Sequence, residues 1–193
     1  MKKLLFLFGL ILLLIPQAAL AHNIGGSGIL SGITHPLLGL DHLLAMVAVG
    51  VISTQMGRKT IWKVPATFIV FMLIGGIIAI LGLILPAVEI AIALSVLVLG
   101  VAIAFSKKIP GIWAMLFVAL FAIFHGHAHG EEMPVIANAG LYAIGFISST
   151  TLLHISGVLI GHYAKKTKLT IKLLQFAGAG VGTMGLIFLI NYV

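Results

Sequence analysis

The chain has no cysteine, only four acidic residues, and charged residues at just 8% of its length. Without cysteine there is no disulfide, no thiolate metal site and no cysteine nucleophile. Any metal would be held by nitrogen and oxygen, with methionine sulfur the one soft donor left. A soluble globular domain carries about 25% charged residues. So sparse a complement, beside 61% hydrophobic residues and a mean hydropathy of +1.27, excludes an ordinary soluble fold. The composition predicts an all-α integral membrane protein whose 193 residues leave no room for a separate soluble domain. The net charge of +7 does not point to nucleic acid. The basic residues sit in short clusters between apolar runs, which is a pattern of membrane topology.

Met1-Lys2-Lys3, an apolar run from Leu4 to Ile15 and the Ala19-Leu20-Ala21 triplet have the parts of a secretory signal peptide over residues 1–21. Cleavage after Ala21 would leave a mature unit of residues 22–193 beginning at His22. Six spans are expected: His35 to Thr54, Val64 to Leu85, Ala87 to Phe105, Gly111 to Phe124, Val135 to Gly161, and Leu173 to Tyr192. The fourth is short unless it continues through the histidines that follow. The first could start near Gly28, with Pro36 and Gly39 supplying a break. An exported amino terminus places Arg58, Lys59, Lys63, Lys107, Lys108, Lys165, Lys166, Lys168 and Lys172 in cytoplasmic loops. That satisfies the positive-inside rule throughout. The expected location is the inner membrane, with both mature termini on the exported side. Gly157 with Gly161, and Gly178 with Gly182 and Gly185, form small faces that suit close helix packing within the chain or between copies.

Chemistry concentrates in two stretches. His35, Asp41 and His42 lie within eight residues of an apolar span. A charge at the centre of a membrane helix costs roughly 2.5–3.5 kcal/mol even on lenient insertion scales, so a bound cation is the simplest compensation. In a regular helix His35 and His42 share a face, which Met46 continues. Asp41 would then point about 100° away, as a ligand or as the acceptor orienting an imidazole on a neighbouring helix. His125, His127 and His129 alternate with small residues and precede Glu131 and Glu132. Gly126 and Gly130 would let that backbone bend so that ligands converge. His154 lies deep in the fifth span beside Ser148, Ser149, Thr150, Thr151 and Ser156, a polar patch that could line a path. His22 offers an external trap, His162 with Tyr163 an interfacial anchor, and Met46 core packing or a ligand. A nitrogen-rich, thiolate-free set suits nickel, cobalt or zinc. Metalloenzyme chemistry finds little support, because no H-E-x-x-H motif is present and no nucleophile accompanies the cluster.

The string HPLLGLDHLLAMVAVG, with His35-x5-Asp41-His42, resembles the first signature of the HupE/UreJ family of nickel permeases. Phe124-His125-Gly126-x-Ala128-His129-Gly130-x-Glu132 resembles the second. The resemblance implies a non-enzymatic permease that takes up Ni(II), in some members Co(II), for hydrogenase or urease maturation. It implies no prosthetic group, and carries metal-binding roles onto His35, Asp41, His42, His125, His129 and Glu132. His127 and Glu131 fall at variable positions of the pattern.

Overall fold

The computed structural model describes residues 28–106, 109–133 and 138–193. The proposed signal peptide, His22, Lys107 and Lys108 lie outside them. Within the described residues the chain is all helix: α1 (Gly28–Leu38), α2 (Leu40–Gln55), α3 (Lys63–Ile80), α4 (Val88–Phe105), α5 (Gly111–Glu131), α6 (Ala139–Ala164) and α7 (Lys168–Tyr192). Five of these, α3 to α7, are long and apolar enough to cross a bilayer, and α1 with α2 adds a sixth as a broken span. At 1.5 Å per residue, the 18 residues of α3 reach about 27 Å, close to a hydrocarbon core of about 30 Å. The chain is a multi-pass membrane protein.

The break in the first span falls at Gly39. This residue is extended (φ −82°, ψ 112°), and α1 and α2 meet at 83°. Pro36 sits inside α1, where it removes one backbone donor from the last turn and brings the helix close to its end. His35 and His42 therefore do not share a face of one regular helix, as their spacing had suggested. They lie on either side of a corner.

Small residues set the packing. A methyl at Gly50 or Gly157 would run into the backbone of the facing helix, α6 or α2 respectively. Gly32 meets α6 near Tyr142 and Phe146. Thus α1 lies on the first half of α6 and α2 on its second half, both running in its direction. Gly126 of α5 faces the carbonyl of Met72 on α3, and Gly130 faces Gly76, so α3 and α5 also run together. Gly178, Gly182 and Gly185 of α7 pack antiparallel on α4 at Ile103, Gly100 and Leu97. Both glycine faces noted in the sequence are covered by helices of the same chain. Close backbone approach is how helices associate where lipid removes the hydrophobic drive between them.

These directions alternate as a serpentine chain requires, and they sort the charges by end. The start of α2, end of α3, start of α4, end of α5 and start of α6 share one end, with Asp41, Glu89, Glu131 and Glu132. The opposite end carries Arg58, Lys59, Lys63, Lys165, Lys166, Lys168 and Lys172. There Lys165 Nζ donates to the Thr54 carbonyl at the end of α2, and Lys166 lies 4.3 Å over the Tyr163 ring. Trp62, Trp113 and Phe105 are exposed near that end, as interfacial aromatics are. Leucine, isoleucine and valine cover much of the outside between the two ends.

Candidate metal site

The histidine cluster is helical. α5 runs unbroken through Glu131, so the expected glycine-bent loop is replaced by regular helix. Glycine stands at 126 and 130 because α3 comes too close there for a Cβ. The helix then sorts the cluster by its own period. His125, His129 and Glu132 fall at i, i+4 and i+7 on one face, while His127 and Glu131 fall on another.

The first face meets the corner between α1 and α2. His35 Nε2 is 2.8 Å from Glu132 Oε2, and its ring centroid is 4.8 Å from that of His129. The His129 ring lies 4.2 Å from His42, which lies 5.0 Å from His125. One ligand atom each from His35, His129 and Glu132 fall within 4.8 Å of one another. Candidate ligands from two separate crossings are thus brought together, although the route by which His35 joins differs from the shared helix face expected.

Burial makes this arrangement chemically specific. His42, His125, His129 and His154 are 6%, 0%, 3% and 2% exposed. Three of them have one ring nitrogen committed as a donor. Asp41 Oδ1 accepts from His42 Nδ1 and from its backbone N–H, both at 2.7 Å. The Ser95 hydroxyl donates to the Ile92 carbonyl, so its oxygen accepts from His125 Nε2 at 2.9 Å. His154 Nδ1 donates to the Met46 carbonyl at 2.7 Å. The opposite nitrogens, Nε2 of His42, Nδ1 of His125 and Nε2 of His154, are buried without a partner. Both nitrogens of His129 are as well. An unpaired buried acceptor costs about 1–3 kcal/mol, and the free nitrogen of a neutral imidazole is also a metal-ligand atom. This second-atom pinning is how ligating imidazoles are usually held.

Asp41 therefore serves its sequence neighbour rather than an imidazole on another helix. Adjacent side chains in mid-helix diverge, but Asp41 occupies the first turn of α2, where a carboxylate folds back onto free backbone N–H groups. At Glu132, just beyond α5, the hydrogen bond from His35 holds the carboxyl below its ordinary range against the opposing effect of burial.

His127 and Glu131 stand apart. His127 Nε2 donates to the Leu83 carbonyl at 2.8 Å, pinning the turn between α3 and α4, and its Nδ1 is 3.4 Å from Glu131 Oε2. Met46 is fully buried in the core and contributes its carbonyl rather than its sulfur to a polar contact. Ser148, Thr151 and Ser156 bond back to their own helix, Ser148 on its exposed side, and Thr150 reaches the Met72 sulfur at 4.0 Å. Sequence reasoning missed Ser95, whose contact with His125 crosses between helices. A lone hydroxyl in the apolar run Ile92-Ala93-Leu94-Ser95-Val96-Leu97 was the only local signal for Ser95.

A family model described as HupE / UreJ protein matches residues 10–188. Protein HupE of Rhizobium leguminosarum bv. viciae is 46% identical over 147 residues, which cover 76% of this chain and 77% of that protein. No solved structure matches the chain.

Proposed function

The chain belongs to the HupE / UreJ family, and on that premise we propose that it is a permease taking up a divalent transition metal, Ni(II) first and Co(II) second, for maturation of a hydrogenase or urease. The protein sits in the inner membrane with its histidine-rich end on the exported side and its lysine-rich end in the cytoplasm. Residues 1–21 are removed as a signal, leaving 22–193 as one permease unit. His35, His129 and Glu132, with His22 as an outer trap, collect the ion. His42, oriented by Asp41, and His125, oriented by Ser95, take it inward, and His154 passes it on. The oxygens of His127's partner Glu131 add negative potential at the mouth.

One observation carries this reading: buried imidazoles from α2, α5 and α6 each leave a nitrogen without a hydrogen bond, and those of α2 and α5 stand ring to ring at the acidic end. His127 Nδ1 also lacks a hydrogen-bond partner, so what sets the others apart is that His42, His125 and His129 stand ring to ring while His127 meets Leu83 and Glu131. Several moderate sites in series suit a transporter, because one very tight site would hold the ion.

The test is radiolabelled nickel uptake into cells expressing the protein, with cobalt and zinc as competitors. Wild type is compared with Asp41→Asn and His42→Ala at equal membrane expression. The reading expects both variants to fall to background. Uptake equal to wild type in both would remove the Asp41–His42 pair from transport.

A further inference from the structure

Ring contacts run from His129 through His42 to His125, and from there through Phe68 of α3 to His154. The Phe68 ring centroid is 5.5 Å from His125 and 5.1 Å from His154, edge-on to the latter. The ring is 2% exposed and belongs to the same buried core as Val64, Met46 and Met72. The nitrogens without a hydrogen-bond partner on these two histidines are Nδ1 of His125 and Nε2 of His154. Both rings are held by hydrogen bonds to their other nitrogens, so neither is free to swing across.

We propose that Phe68 is the gate between an outer metal station, ending at His125, and an inner one beginning at His154. The inference rests on the metal-uptake reading above. A phenyl ring offers a divalent ion no lone pair, and the packed core around it gives no room for a hydrated one. The ion therefore stops at His125 until the ring turns. Hydrophobic constrictions gate pores in this way, by excluding water until they open. The surroundings allow the movement: Met46 and Met72 belong to the same core, and unbranched thioether side chains repack readily. Closing the route with an apolar ring also keeps protons from passing along the imidazoles between ions.

The test uses the purified full chain. Nickel binding is measured by calorimetry in detergent. Nickel flux and proton leak are measured in proteoliposomes, for wild type, Phe68→Ala, Phe68→Leu and Phe68→Trp. The larger indole should lower nickel flux at least about tenfold while binding stays within about twofold. The smaller side chains should raise proton leak or nickel flux at least about fivefold, again with binding kept. If Phe68→Ala fails to fold, Phe68→Leu and Phe68→Trp carry the comparison. Wild-type flux and leak in the folded variants would overturn the gate. So would loss of nickel binding in Phe68→Trp, which would make the ring a support of the outer site. A wild type that moves no nickel would instead sink the uptake reading itself.

Discussion

His127 and His129 are two residues apart on α5, are both buried, and meet quite different partners. His129 faces the corner of the broken first span, among His35, His42 and Glu132, with both nitrogens unpartnered. His127 faces the other way, and its Nε2 holds the Leu83 carbonyl. Between these two faces, Gly126 and Gly130 face the backbone of α3. One stretch of helix thus presents three surfaces roughly 100–150° apart: one toward the corner of the first span, one that fastens a turn and one that seats a neighbouring helix. Histidine content alone does not make a metal site; the face on which each histidine falls does.

The largest effect should separate the two histidine faces. His42→Ala and His129→Ala should lower nickel affinity about a hundredfold or more, while His127→Ala and Glu131→Gln should stay within about twofold. Calorimetry on purified variants reads the difference, and equal losses on both faces would erase the comparison. His127→Ala should instead cost about 1 kcal/mol of stability, the net worth of one hydrogen bond to a turn.

Next comes the pinning of the ligand face. Ser95→Ala removes the acceptor that fixes His125, and should weaken nickel binding about tenfold, within the range for lost outer-shell partners. Ser95→Thr keeps the hydroxyl and should recover most of it. No change in Ser95→Ala would mean that His125 does not ligate.

The glycine face should answer in stability rather than affinity. Gly126→Ala drives a methyl into the Met72 carbonyl and should destabilise the fold by about 1–3 kcal/mol or prevent α3 and α5 from docking. Gly180→Ala, with nothing near its Cβ position, should be tolerated. Thermal unfolding in detergent distinguishes the two.

Most of the architecture was legible because it follows from local pattern: apolar runs gave the spans, and lysine clusters gave their alternation. The break at Gly39 was also visible, as a glycine after a proline in a segment too long to be straight. Which candidate residues would come near one another was more legible than how they would do so. Gly126 and Gly130 read as flexible joints, because a sequence does not reveal that another backbone lies against them. Asp41 was expected to point away from His42, which holds in mid-helix and fails in a first turn. Ser95 and Phe68 contact histidines on helices far apart in sequence, so beyond a lone hydroxyl in an apolar run no local pattern pointed to them.

The smallest effect expected is on pH. A lowered Glu132 carboxyl contributes stability above its unfolded value, which is lost only as pH falls through the folded one. Glu132 therefore stays ionised between pH about 7 and about 6, well above an ordinary glutamate value of about 4.3. Nickel affinity should still fall a few-fold over that interval, because imidazoles must be neutral to ligate. Titration calorimetry at both pH values reads it, and an affinity that rises as pH falls would count against histidine ligation.

The most direct measurement is X-ray absorption on the nickel-loaded protein, in wild type, His42→Ala, His129→Ala and His127→Ala. A site closed by α2 and α5 together predicts a nitrogen and oxygen shell with at least two imidazoles. It also predicts that His42→Ala and His129→Ala each remove one imidazole, while His127→Ala removes none. A shell of water oxygens or methionine sulfur, or one unchanged by His42→Ala and His129→Ala, would contradict it.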